Sequence, residues 1–334
     1  MLNHIRYIDL FAGVGGFHQA MSSFGAKCVF ASEWDKDCQL TYQENYGIEP
    51  FGDIIEIDER DIPTHDVICA GFPCQAFSIS GKHRGFEDAR GTLFFEVARI
   101  AKYHKPKILI LENVKNFEKH DKGNTLRVVK STLEEIGYTV FYKVLNSSNF
   151  GVPQKRERIF ILGFREDLEG KNFSFPSSYN QETSLRDFLL ESDEVADLVI
   201  DRDDIFLKES VSIKKDILGN YPQKPIRLGI VNRGGQGERI YSPLGHAITL
   251  SAYGGGVGAK TGLYIIDGKI RRLHPIECRR IMGFADDFKL HSNRNVCYRQ
   301  FGNAVVVNVV RAIVEEIVRS GCLEVDCLRD EVAS

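Results

Sequence analysis

Tyr7-Ile8-Asp9-Leu10-Phe11-Ala12-Gly13-Val14-Gly15-Gly16-Phe17 is a β-rich apolar run that breaks on glycines and passes into an amphipathic stretch. A strand that enters a helix through a glycine turn brings backbone N–H groups close to a ligand. The third glycine of a dinucleotide fingerprint is missing, because Gly16 follows Gly15 directly. Seventeen residues past Gly16, after a second β-branched run over 27–31, stands Glu33, where a carboxylate can bind ribose hydroxyls. Asp53, in Phe51-Gly52-Asp53-Ile54, is placed to accept from an adenine amino group. The motif points to a nucleoside cofactor; its plainer reading is a tight strand–helix turn with surface acids.

β-branched runs over 7–11, 27–31, 67–70, 108–111 and 159–163 predict strands. Amphipathic stretches over 17–24, 37–45, 92–103 and 125–136 predict the helices between them. This alternation predicts an α/β fold with a mostly parallel sheet covered on both faces, whose ligands sit at the carboxyl ends of the strands. Residues 166–223 are weakly patterned. Ten of the chain's 30 glycines fall between Gly229 and Gly262, which reads as loops and short strands bringing backbone close to a partner. Helical spacing returns over 274–282 and 303–319.

The 334 residues allow one large domain with a smaller one. No apolar run approaches the roughly 20 residues of a membrane span, and the N-terminal residues do not read as a signal peptide. Eight scattered cysteines without C-x-x-C pairs suggest neither a disulfide scaffold nor a zinc site. Most read as small buried hydrophobes, Cys69 above all. The net charge of −3 hides a swing: residues 165–220 carry 14 acidic and 7 basic side chains, residues 224–280 carry 10 basic and 3 acidic. The second segment is suited to an anionic partner.

Three further motifs follow predicted strands. In Gly71-Phe72-Pro73-Cys74-Gln75, a Pro-Cys turn holds a thiol at the sheet edge, where nearby N–H groups favour the thiolate. In Ile108-Leu109-Ile110-Leu111-Glu112-Asn113-Val114, aliphatic residues run into a carboxyl whose desolvation raises its pKa and lets it hold and donate a proton. In Gln154-Lys155-Arg156-Glu157-Arg158, alternating arginines put two guanidinium groups on one face, suited to phosphate, thiolate or a base carbonyl. Each has a bland alternative: a loop cysteine, a capping glutamate, a solvated basic edge.

Taken in this order, together with Arg272-Leu273-His274-Pro275-Ile276-Glu277-Cys278 and Gln300-Phe301-Gly302-Asn303-Ala304-Val305, the motifs resemble the DNA cytosine-5 methyltransferase family over essentially the whole chain. The resemblance implies a Rossmann-like S-adenosyl-L-methionine-dependent domain over 1–186, with S-adenosyl-L-homocysteine as product and no metal. It further implies a smaller irregular β-rich target-recognition domain over 187–273, a hinge over 274–302 and a C-terminal helix over 303–334 that returns to the catalytic domain. Cys74 would add to C6 of a flipped cytosine while Glu112 serves N3; Arg158 would meet the base carbonyl and Arg156 the neighbouring phosphate. Phe11, Gly13, Gly16, Glu33, Trp34, Asp53, Ile54, Pro73, Leu93, Asn303, Ala304 and Val305 would hold the cofactor. Ser78, Ser80, Lys82 and Arg84 would close over double-stranded DNA, with Gln236 filling the vacated space and Arg239, Thr249 and Tyr253 reading bases. The likeness of 227–256 to GCGC-reading members of type II restriction–modification systems implies methylation of the inner cytosine of that site. It also implies a monomer on DNA in the bacterial cytosol, off the membrane, paired functionally with a restriction endonuclease but not bound to it. Two departures stand out: Ala304 occupies an expected serine position, and 205–221 is longer than expected. The broken fingerprint and the Cys74–Glu112 pairing count against an NAD oxidoreductase, and the absence of a Cys-Phe-Thr tripeptide counts against the family's tRNA-methylating branch.

Overall fold

The computed structural model describes residues 1–73, 93–168, 172–179, 181–209, 211–216 and 219–323. Its main sheet has six strands: β1 (Arg6–Leu10), β2 (Lys27–Ser32), β3 (Val67–Ala70), β4 (Ile108–Val114), β5 (Tyr138–Asn146) and β6 (Glu157–Arg165). They run in the order β2-β1-β3-β4-β6-β5. The first four are mutually parallel, while β6 is antiparallel to both β4 and β5. β1 lies between β2 and β3, so successive connections leave it in opposite directions. Open α/β sheets bind ligands at the carboxyl ends of their strands where the order reverses in this way.

Period-2 side chains decide the layering. Tyr7, Val67, Cys69, Ile108 and Ile110 face one apolar core, shared with α1 (Gly16–Ser22), α2 (Lys36–Tyr46) and α7 (Val307–Arg319). Ile8, Leu10, Ile68, Ala70, Leu109 and Leu111 face the other, shared with α3 (Leu93–His104) and α4 (Asn124–Glu135). The chain's last described helix thus packs beside its first. All six described cysteines are buried free thiols, as small hydrophobes would be.

A second sheet, β11-β10-β9-β8-β7, is built from β7 (Ile205–Leu207), β8 (Arg227–Val231), β9 (Arg239–Tyr241), β10 (Leu263–Ile266) and β11 (Lys269–Arg271). Arg271 and Glu277 join it to α5 (Pro275–Ile281) through a buried pair with contacts of 2.7 and 2.8 Å.

Three elements differ from the sequence reading. β5 is an edge strand with few buried positions, so it lacks a clean alternation. α6 (Arg294–Asn303) is largely polar and shows little periodicity. The C-terminal helix begins at Val307, not at residue 303, because Asn303 ends α6 and Ala304 and Val306 are extended. Among the described residues, no helix is long and apolar enough to cross a membrane.

Candidate active site

The turn after β1 is conformationally forced. Phe11 has a φ of 54°, a left-handed value that strains a bulky residue, and Gly13 follows with 55°. A Cβ at Gly13 would meet nothing within 4 Å, so the turn is open on that side. Its amide donates to Glu33 Oε2 (2.8 Å), while Glu33 Oε1 accepts from the Asp35 amide (2.9 Å). Burial raises the Glu33 pKa, and these amides oppose the rise. Next to it Trp34 is 73% exposed, an indole left in water.

Backbone bonds Phe51 N to Ala31 O (2.8 Å) and Glu33 N to Phe51 O (2.9 Å) lay residue 51 along the end of β2. Just beyond, Asp53 caps the short turn Ile54–Glu56, with Oδ1 accepting from Ile55 N at 3.1 Å. Ile54 is buried, and its carbonyl accepts from Arg99 Nη2 (3.3 Å). From the far end of the chain, Val305 closes on the turn: a Cβ at Gly16 would lie 2.6 Å from its Cγ1. Ala304 and Val305 are buried and Asn303 is exposed. Pro73 is exposed, and Leu93 opens α3 half-buried. Open-sided backbone, a fixed carboxylate with lone pairs to spare and a flat exposed ring fit a ribose and a purine.

Glu112 lies near the carboxyl end of β4, two strands from the glycine turn. Its Oε1 is 3.0 Å from Arg158 Nε, with side-chain exposures of 10% and 16%. Glu112 pairs with Phe160 and Val114 with Arg158, so the antiparallel register of β4 and β6 is what brings the pair together. Burial raises the Glu112 pKa, opposed by Arg158 and then Arg156. Its other oxygen faces Gly71, where a Cβ would be 3.8 Å away. Asn113 Nδ2 donates to the Phe72 carbonyl (2.9 Å), a buried tie on the segment that runs into Pro73 and Cys74. In the sequence, the only signal that marks Asn113 is its place beside Glu112 at a strand end. Cys74, Ser78, Ser80, Lys82 and Arg84 lie outside the described residues.

Arg156, expected to meet a phosphate, has backbone neighbours in the structure. Arg156 is 2% exposed. It donates to the carbonyls of Leu250 (3.1 Å), Gly302 (2.9 Å) and Ala304 (2.8 Å). The guanidinium is committed to backbone and does not share an open face with Arg158. It joins three segments far apart in sequence.

In the glycine-rich stretch, Gln236 is exposed at the start of a short turn. Arg239 is half-buried, with Nε donating weakly to Gly234 O at 3.4 Å. Thr249 is exposed, and its hydroxyl donates to Lys155 O (2.6 Å). Tyr253 is 80% exposed. The two glycine loops touch, since a Cβ on Gly237 would lie 1.8 Å from Gly255 O. Gln154 fastens this stretch inward: Oε1 accepts from Leu250 N (3.1 Å) and Nε2 donates to Ile281 O (3.1 Å). No group of metal-ligating side chains occurs among the described residues.

The C-5 cytosine-specific DNA methylase profile matches residues 5–319. Type II methyltransferase M.HhaI of Haemophilus parahaemolyticus is 55% identical over 316 residues, 95% of each chain. Type II methyltransferase M.HaeII of Haemophilus aegyptius is 42% identical, over 96% of this chain and 94% of its own. The crystal structure of S. pombe Dnmt2 methyltransferase superposes with a TM-score of 0.70 at 19% identity, covering 94% of this chain and 98% of that one. This last likeness is one of fold.

Proposed function

Because the chain belongs to the C-5 cytosine-specific DNA methylase family, its reaction is methyl transfer to C5 of cytosine in DNA, and we propose that it acts on the inner cytosine of GCGC in duplex DNA, protecting it from a cognate restriction endonuclease. The observation that carries the chemistry is the Glu112 carboxyl, buried, held by Arg158 at 3.0 Å and facing the segment that leads into Cys74. S-adenosyl-L-methionine, when bound, supplies an electrophilic methyl group; Phe11, Gly13, Gly16, Glu33, Trp34, Asp53, Ile54, Pro73, Leu93 and Asn303 to Val305 are the residues we assign to hold it. The base is flipped from the stack at a cost of a few kcal/mol.

The Cys74 thiolate forms a bond to C6, and the C5–C6 π pair moves toward C4 as Glu112 gives its proton to N3. Burial suits Glu112 to this step by favouring its protonated form. Arg158 steadies the carboxyl and is placed to meet the base carbonyl. C5 then takes the methyl group. Loss of the C5 proton to solvent restores the C5–C6 double bond, expels the thiolate and returns the N3 proton to Glu112.

We assign target recognition to 187–273, which contains the second sheet, with 274–302 as hinge and 1–186 plus 303–334 as the catalytic part. Gln236 fills the vacated stack, Arg239, Thr249 and Tyr253 read the site, and Ser78, Ser80, Lys82 and Arg84 close over it. The GCGC assignment rests on the resemblance carried by 227–256, and arginine paired bidentately with guanine is the commonest specific contact. The enzyme acts as a monomer in the bacterial cytosol, with no stable complex with the nuclease.

A GCGC duplex carrying fluorine at C5 of the target cytosine tests the mechanism, since fluorine cannot leave as a proton does. With cofactor, a denaturation-resistant protein–DNA adduct is expected, and Cys74→Ser abolishes it. No adduct on any cytosine-containing duplex overturns the mechanism. A methylated plasmid whose GCGC sites remain sensitive to a methylation-blocked nuclease overturns the site assignment alone.

A further inference from the structure

The glycine turn rests on a stack of rings that the methyl transfer does not use. Tyr46, the last residue of α2, sends its hydroxyl under the turn and shares it between Gly15 O (3.0 Å) and Val14 O (3.2 Å). Contact with the ring is close: Gly15 has a φ of 81°, and a Cβ there would lie 2.2 Å from Tyr46 Cε2. Any other residue at Gly15 meets both backbone strain and the Tyr46 ring. The carbonyl and N–H of one trans peptide point to opposite sides. A hydroxyl that fixes the Val14 and Gly15 carbonyls on the core side therefore fixes the planes of the Val14–Gly15 and Gly15–Gly16 peptides.

Tyr46 is itself held from two sides. His18 of α1 stacks on its ring at 3.9 Å with an interplanar angle of 16°. Burial pushes the His18 pKa down to about 4, so the stacked imidazole is neutral at physiological pH. His18 Nδ1 and the Tyr42 hydroxyl hydrogen-bond at 2.7 Å, and the Tyr42 ring meets Tyr46 edge-on at 4.8 Å. α1 and α2 thus both contribute to one aromatic bracket, whose free end is the hydroxyl under the turn.

We propose that Tyr46 is a positioning residue for the cofactor, holding the Val14–Gly15 backbone through a ring locked by His18 and Tyr42. The proposal rests on the reading of the glycine turn as the cofactor site. Tyr46→Phe keeps the ring and removes only the hydroxyl; His18→Phe keeps a stacked ring and removes the bond to Tyr42. Calorimetric titration with S-adenosyl-L-homocysteine, and steady-state kinetics with S-adenosyl-L-methionine on a cytosine-containing duplex, read both variants. For Tyr46→Phe, the cofactor Kd and KM should rise about five-fold, equivalent to ~1 kcal/mol. Its kcat and duplex Kd should stay within about two-fold of wild type. His18→Phe should shift the cofactor Kd in the same direction by about two-fold, which keeps the test open if one variant folds poorly.

Wild-type cofactor affinity in both variants overturns the proposal. So does a loss of kcat and melting temperature with no rise in cofactor KM, which marks the bracket as merely structural. Failure of the wild-type protein itself to bind either cofactor form overturns the reading of the turn, a separate result.

Discussion

Replacing Arg156 by lysine separates two roles that the sequence alone left together. In the structure its guanidinium serves three backbone carbonyls, of Leu250, Gly302 and Ala304, from a fully buried position. Lysine keeps the charge but not the planar fork, so it cannot reach carbonyls arriving from separate segments in one geometry. Leaving a buried carbonyl unpaired costs about 1–3 kcal/mol, and lysine leaves one or two without a donor. A loss of about 3 kcal/mol is expected, a large share of a folding stability of roughly 5–15 kcal/mol. At about 2 °C per kcal/mol for a large domain, the melting temperature should fall by roughly 6 °C. Calorimetry on the protein without cofactor or DNA measures this, beside the salt dependence of duplex binding. Lysine would keep a phosphate contact, so the charge is removed separately: if Arg156 contacted a phosphate, Arg156→Gln would shrink the logarithmic salt slope by about one. Unchanged melting together with that smaller slope would refute the clamp.

Three further outcomes follow from named contacts. Asn113→Ala removes the tie to the Phe72 carbonyl and should lower kcat about ten-fold, near 1.4 kcal/mol, with cofactor Kd unchanged; equal loss in both would point to global damage. Gly302→Ala should destabilise by more than about 3 kcal/mol or prevent folding, because the new Cβ would lie 2.2 Å from Ala252 N, a backbone atom that cannot swing aside. A denaturant midpoint like the wild type's counts against that packing. Asp9 is fully buried, approached by the His18 amide and the Tyr42 hydroxyl without a well-formed hydrogen bond, and burial, then Glu33, holds its pKa well above 3.8. The folded state therefore keeps a proton that the unfolded chain releases above about pH 4, so stability falls as pH rises, by up to ~1.4 kcal/mol per unit. In Asp9→Asn, urea midpoints between about pH 5 and 8 should vary less with pH than in the wild type, and an equal dependence would sink the idea.

The β-α alternation, the open glycine turn with Glu33 beyond it, and the strand-end position of Glu112 are legible in the order of the amino acids. These are local: a β-branched run, a glycine break and an apolar segment ending on a carboxyl each declare themselves within about ten residues. Edge strand β5 and polar helix α6 escaped because their stability comes from neighbours rather than from a periodic apolar face. Val307–Val310 is β-rich in propensity, but its spacing through Ile313 and Ile317 favours a helix, and the stretch begins α7, buried against α1. Two arginines with one residue between them part ways in the folded chain: the antiparallel register of β4 and β6 sets Arg158 on Glu112, while Leu250, Gly302 and Ala304 converge on Arg156. Composition and spacing fix which groups a segment carries. Arg158 meets a partner 46 residues away and Arg156 meets partners 94 to 148 residues away, and no local pattern records that.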